Sequence, residues 1–130
     1  MLRILNKISF SQKDNRMKYI ADVDKARDFF FSSKSQNLKF LLNQRFSCMN
    51  NFINDNDRGI EVGSGAGFSK EYIKNKNFKL TDLGNGNHLD FKNIDAQNTG
   101  FPEGSFDYVI ASNMIHHIPF PIKFFKETNR

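Results

Sequence analysis

The sequence has a single cysteine, Cys48, and only three histidines, two of them adjacent. That excludes a disulfide framework and a cysteine zinc cluster, and leaves little for a histidine metal site. No apolar run approaches the roughly 20 residues that span a bilayer. Met1-Leu-Arg-Ile-Leu-Asn-Lys-Ile-Ser-Phe10 lacks a secretory apolar region followed by a small-residue cleavage site. There is no Walker sequence and no glycine- or arginine-rich tract, which argues against nucleic acid as a partner. These absences predict a soluble, reduced, cytoplasmic protein without a metal ion. Present in quantity is phenylalanine: 15 of 130 residues, within a hydrophobic content of 38%. That suffices for a core, and the length suits one domain.

The net charge of +5 lies entirely before Gly59: residues 1–58 hold 11 Lys and Arg against 6 Asp and Glu, and residues 59–130 hold 8 of each. A basic segment attracts nucleic acid, an anionic membrane surface or an anionic substrate. Here the charges are scattered rather than clustered, as on a solvated helical face.

Two kinds of segment follow one another. Asp22 and Asp24 precede Ala26 and Phe29-Phe30, which predicts a short helix. From Ser35, Leu38, Leu41, Leu42, Phe46, Met49, Phe52 and Ile53 recur in steps of three and four, one stripe of an amphipathic helix. Cys48 beside that stripe reads as a small buried or half-buried filler. Asn54-Asp-Asn-Asp57 breaks the pattern and divides the chain into a helical segment, 1–56, and a second unit, 57–130. Arg58–Val62 then reads as a strand, Phe68–Lys74 as a helix, Phe78–Asp82 as a second strand and Phe91–Asp95 as a weaker third. Phe106–Ser112 is β-branched and aromatic like a buried parallel strand, and a last helix starts near Pro119 or Pro121. Strands alternating with helices predict an α/β fold with a parallel sheet. Leu83–Asp90 is short for a parallel crossover and contains Asn-Gly, a hairpin signal, so local rules favour an antiparallel pair there.

The loop Glu61-Val62-Gly63-Ser64-Gly65-Ala66-Gly67 joins strand to helix. Its glycines permit positive φ and close approach of a ligand, and the free N–H groups beyond favour an anionic group. The dinucleotide fingerprint would need glycine where Phe68 stands, which disfavours a nicotinamide-linked oxidoreductase. Glu61, two residues before the first glycine, is a carboxylate in an otherwise apolar strand, where it needs a partner.

Glu61–Gly67 resembles motif I of the class I S-adenosylmethionine-dependent methyltransferases (the type 11 group). Thr81-Asp82, with Asp82 21 residues after Glu61, is similar to that family's acidic residue after strand two. Ile94-Asp95-Ala96 resembles its Asp-Ala pair after strand three, and Phe101–Asn113 its approach to strand four. Phe124–Arg130 is similar to the helix that follows. The resemblance covers residues 57–130; the helical N-terminus is more loosely similar to methyltransferases of bacterial surface-glycan pathways.

The resemblance implies a Rossmann-like sheet with partial strand order 3-2-1-4, and S-adenosylmethionine as cofactor. It implies that Glu61 takes the cofactor's ammonium, and that Gly63, Ser64, Gly65 and Gly67 line its methionine part. It implies that Asp82 accepts the ribose hydroxyls and that Asp95, with the Ala96 N–H, reads the adenine. Asp82 and Asp95 also suit simple turn capping at strand ends. Asn113, which the resemblance places among the cofactor-binding residues, follows strand four at the rim of the site, as do His116 and His117. His116 or His117 is a candidate general base, or else the pair only packs the turn before Pro119. Ser112-Asn-Met-Ile115 differs from the Asn/Asp-Pro-Pro-aromatic of amino-group methylating enzymes and points to a small-molecule or glycan-type acceptor.

A full class I domain has seven strands, whereas this sequence carries four. Two expectations follow. In one, the chain is the cofactor-binding half of a methyltransferase whose strand four is covered by a complementing chain or a second copy. In the other it is a truncated or split-gene fragment that binds cofactor weakly without catalysis. Phe29, Phe30 and Phe31 suit either a lid over the site or the core.

Overall fold

The computed structural model describes the backbone of residues 12–130 and side chains from residue 22 onward. The reading of Met1–Phe10 therefore lies outside the described residues. Helix α1 runs Gln12–Phe31, longer than the short helix expected around Asp22–Phe31, and α2 runs Gln36–Ser47. Ser35, fully buried, joins them: its hydroxyl donates to the Phe30 carbonyl at 2.5 Å, and its own carbonyl accepts the Lys39 N–H at 2.9 Å. One residue thus closes the carbonyl end of α1 with its side chain and opens α2 with its backbone carbonyl.

Past Ser47 the helix tightens into a 3-10 turn, Cys48–Phe52. Leu42 and Phe46 are buried, and Leu38, Met49 and Ile53 pack against the same core. Leu41 and Phe52, expected on that stripe, are exposed at 62% and 86%. Leu41 sits about a quarter-turn round from Leu42, and three residues per turn rotate Phe52 away from the α-helical line. Cys48 is exposed, not buried or half-buried: two residues past Phe46, it falls on the opposite side of the helix.

The sheet has three parallel strands, β1 (Gly59–Glu61), β2 (Phe78–Leu80) and β3 (Tyr108–Ile110), in the order β2-β1-β3. Each is shorter than the sequence predicts. The expected third strand over Phe91–Asp95 is reduced to one parallel bridge between Thr81 and Phe91. That bridge lies beyond β2, so the order 3-2-1-4 survives with its first member vestigial. Asn93 breaks it: its φ of 56° is left-handed and cannot continue a strand. The antiparallel alternative is excluded by the same bridge. Asp90 brings the chain back alongside β2, its carboxylate accepting the Leu80 N–H at 2.9 Å while its own N–H donates to Leu80 O at 3.0 Å. Leu89 enters the core where a crossover helix would otherwise pack.

Helices cover both faces. Phe78, Leu80 and Ile110 face Phe30, Leu42 and Phe46 from α1 and α2. On the other face Val62, Met114 and Val109 meet Phe124 of α3 (Pro121–Thr128), which starts with its proline in the first turn. The helix expected over Phe68–Lys74 is only a 3-10 turn, Phe68–Glu71. Asn50 ends it, donating to Tyr72 O and accepting the Lys74 N–H, both at 2.9 Å. Asn75, buried, then donates to the carbonyls of Asn54 (2.8 Å) and Asp57 (3.0 Å), fastening the turn that leads into β1.

Across the sheet, Gly59 lies between Phe78 and Tyr108, whose rings stack at 6.2 Å. A Cβ at Gly59 would fall inside the Tyr108 ring. Gly59→Ala should cost about 2 kcal/mol, the usual scale of core overpacking. Much of that loss should disappear in a Tyr108→Leu background, as read by thermal melts of both variants.

Candidate functional site

The glycine loop leaves the carboxyl end of β1 and is shaped by three left-handed residues, Gly63 (φ 65°), Gly65 (φ 52°) and Gly67 (φ 71°). Side chains are excluded by space as well as by φ: a Cβ on Gly63 would strike Met114, and one on Gly67 would strike Leu80 and His88. Ser64 ties the loop to β2. Its N–H donates to Thr81 O at 2.9 Å, and its hydroxyl accepts the Thr81 N–H at 3.1 Å while donating to Glu61 O at 3.1 Å.

Asp82, buried at the end of this segment, bridges two loops. One carboxylate oxygen accepts the Gly65 N–H and the other the Gly84 N–H, each at 2.8 Å. It lines a cavity of about 200 Å³ together with Gly65, residues 84–89 and, from α1, Val23 and Asp24. The bound amides hold the carboxylate in place and leave lone pairs free toward the cavity.

Glu61 is placed differently. It is 3% exposed, set between Leu80 and Ile110 in the sheet register, and it accepts a short hydrogen bond from the Ser69 hydroxyl. Burial is the main cause that pushes its carboxyl up to about 7, and the Ser69 and Ser64 hydroxyls oppose it. It therefore ionises in the unfolded chain near its ordinary 4.5 but stays protonated in the fold until about 7. Its contribution to stability is full below 4.5, falls as pH rises through that window, and is lost above 7. The change amounts to about 3 kcal/mol. Glu61→Gln, neutral at every pH, should remove that part of the fall between pH 4.5 and 8 in denaturant melts.

The remaining expected residues are not all in this cavity. Asp95 is exposed and caps its own turn, accepting the Gln97 N–H at 2.9 Å. Ala96 lines a separate hollow of about 50 Å³ with Val62, Thr99, Phe101 and Val109. Asn113 lies past β3 with a left-handed φ of 56°, and exposed His116 and His117 sit in the next 3-10 turn with ring centroids 3.9 Å apart. No group of three metal-ligating side chains occurs among the described residues. Nor is any helix there long and apolar enough to cross a membrane.

Two residues that sequence reasoning passed over belong to the loop. His88 Nε2 lies 2.8 Å from Gly65 O, and Arg27 of α1 donates to Ala66 O. Neither had a local signal. His88 stands in a segment that reads as a turn, and Arg27 is one of many scattered charges.

A parallel sheet between helix layers, a glycine loop after its first strand and a carboxylate at the end of the next define a partial Rossmann-like α/β fold. A family model described as a methyltransferase domain matches residues 60–130, more than half of the chain, and the chain belongs to that family, the class I S-adenosylmethionine-dependent methyltransferases. Comparison with curated proteins and with solved structures gives no match.

Proposed function

We propose that this protein binds S-adenosylmethionine at the glycine loop and transfers its methyl group to a small-molecule or glycan-type acceptor. The observation that carries the reading is Asp82, held by the Gly65 and Gly84 amides with its carboxylate on the cavity. A carboxylate so fixed accepts a vicinal diol well, as in ribose. The glycine loop fits the cofactor too, since Gly65 lines the cavity with no side chain to occupy it. In this reading Gly63, Ser64, Gly65 and Gly67 line the methionine part, Glu61 supports its ammonium, and Asp95 and the Ala96 N–H read the adenine.

The cofactor supplies an activated methyl, so the protein's task is to place the acceptor in line and exclude water. Asn113 borders the cofactor, and His116 and His117 lie on the acceptor side. His116 or His117 takes the proton when the acceptor is a hydroxyl. The described helices of the segment 1–56 act as a cap over 57–130, a role supported by the packing of Phe30 on Phe68 at 4.5 Å. Phe29 and Phe31 are exposed, so only the middle one of the three serves the core.

Titration calorimetry with S-adenosylmethionine, S-adenosylhomocysteine and NAD tests the reading. Heat is expected with both sulfur compounds and none with NAD. A folded sample silent to both sulfur compounds would overturn it. A second reading, that catalysis also needs a complementing chain or second copy along β3, is favoured by the outer edge of β3, unpaired among the described residues. Turnover that rises more steeply than enzyme concentration would support it.

A further inference from the structure

We propose that His88 is a positioning residue of the cavity: its Nε2–H clamps Gly65 and so holds the Asp82 carboxylate and the glycine loop at a fixed separation for a ribose. The inference rests on the cofactor reading above and concerns only the nucleoside side of the site.

Three observations carry it. First, Gly65 is held at both of its polar ends by one short segment of chain. Its N–H donates to Asp82 Oδ2, and its carbonyl faces His88 Nε2, each at 2.8 Å. A carbonyl only accepts, so Nε2 carries the proton and the imidazole is the donor. Gly65, Asp82 and His88 all line the cavity of about 200 Å³. Residues 83–88 form neither helix nor strand, so these two bonds take the place of secondary structure in fixing the cavity wall.

Second, the ring fills a slot between two glycines, one on each loop. A Cβ on Gly67 would stand 2.9 Å from Cδ2, and one on Gly86 would stand 2.5 Å from Cε1. Gly86 is not among the left-handed glycines. Room for the imidazole, not backbone conformation, is therefore what glycine supplies there.

Third, the backbone behind the ring is anchored. The Leu89 N–H donates to Gly86 O at 3.2 Å, closing a turn, and the Leu89 side chain is buried in the core. His88 thus crosses to the glycine loop from a fixed base. A ligand entering such a cavity has less chain to order, which favours affinity.

Calorimetry with S-adenosylhomocysteine and methylthioadenosine, which lacks the amino-acid end, tests the role. The proteins are wild type, His88→Ala, His88→Gln and Gly86→Ala, each also melted thermally. His88→Ala should bind both ligands about fivefold more weakly, the contribution of one hydrogen bond. His88→Gln places an amide N–H as many bonds from Cβ as Nε2 is, and should recover most of that loss. Gly86→Ala leaves His88 in the sequence but crowds its ring. It should bind like His88→Ala and, combined with it, cost nothing further. Phe78→Leu, destabilised but remote from the cavity, should keep wild-type affinity, so the losses do not simply follow melting temperature. Nitrogen NMR of the wild type should show the His88 ring protonated at Nε2.

A glutamine variant as weak as the alanine variant would overturn the proposal. So would a loss confined to S-adenosylhomocysteine, or an Nδ1–H tautomer in the wild type, a result that requires no variant to fold. Wild type that binds neither ligand while its Nε2–H is in place would instead overturn the cofactor reading itself, and the role of the clamp with it.

Discussion

Asp82→Ala should abolish measurable cofactor binding and lower stability by about 4 kcal/mol. Two effects add. The Gly65 and Gly84 N–H groups each lose a charged acceptor, and hydrogen bonds to charged groups contribute about 1.5–3 kcal/mol apiece. The ribose partner goes as well, a further loss of roughly tenfold or more in affinity before any disorder of the glycine loop is counted. Asp82→Asn separates the two. An amide oxygen still accepts one N–H, so most of the stability should return, whereas a single neutral acceptor cannot hold both hydroxyls of a diol. Denaturant melts should place the asparagine variant near wild type, and calorimetry should place it near the alanine variant. If both variants bind S-adenosylhomocysteine like wild type, Asp82 is a loop cap and nothing more.

Phe78→Ala should be as damaging to the fold and silent toward chemistry. Phe78 is fully buried, stacks on Tyr108 across Gly59, and lies under the Lys70 ammonium, which is 5.6 Å from the ring centroid. Removing a large core aromatic costs about 3–5 kcal/mol, through lost transfer energy and the cavity left behind. In a chain of 130 residues that is a large share of a stability typically near 5–15 kcal/mol. Phe78→Leu should recover about half of it. A variant unfolded at 37 °C but with normal affinity for S-adenosylhomocysteine at 10 °C is the expected pattern, since Phe78 lies at the end of β2 away from the cavity.

The parts legible in the sequence were those set by short-range chemistry. Alternating glycines at 63, 65 and 67 demanded a left-handed turn, and all three adopt it. The Pro121 start of α3 and the strand cores at Ile60, Leu80 and Ile110 also followed from local pattern. What failed was decided by side chains distant in sequence. Asn50 ended the helix expected after the loop from over 20 residues away, and Asp90 turned a hairpin-like segment into a parallel return. Asn93 truncated the third strand by a backbone conformation that no apolar pattern announces. Arg27 was invisible because its partner is a carbonyl on a loop 39 residues further on. At Glu61 the apolar strand context did indicate a carboxylate in need of a partner, and the Ser69 hydroxyl is that partner.

The short return through Leu83–Asp90 also affects how the chain is closed on itself. Ile60 meets Lys79 after 19 residues but Val109 only after 49, so the two sides of β1 have unequal entropic demands. By loop-closure scaling the second pairing costs about 0.8 kcal/mol more than the first. With no crossover helix to nucleate between Asp82 and Phe91, the half of the sheet that holds the glycine loop and Asp82 is also the half of lower contact order. The side that carries Asp82 is thus the more local of the two, and the outer side, along β3, depends on contacts made across the longer span of chain.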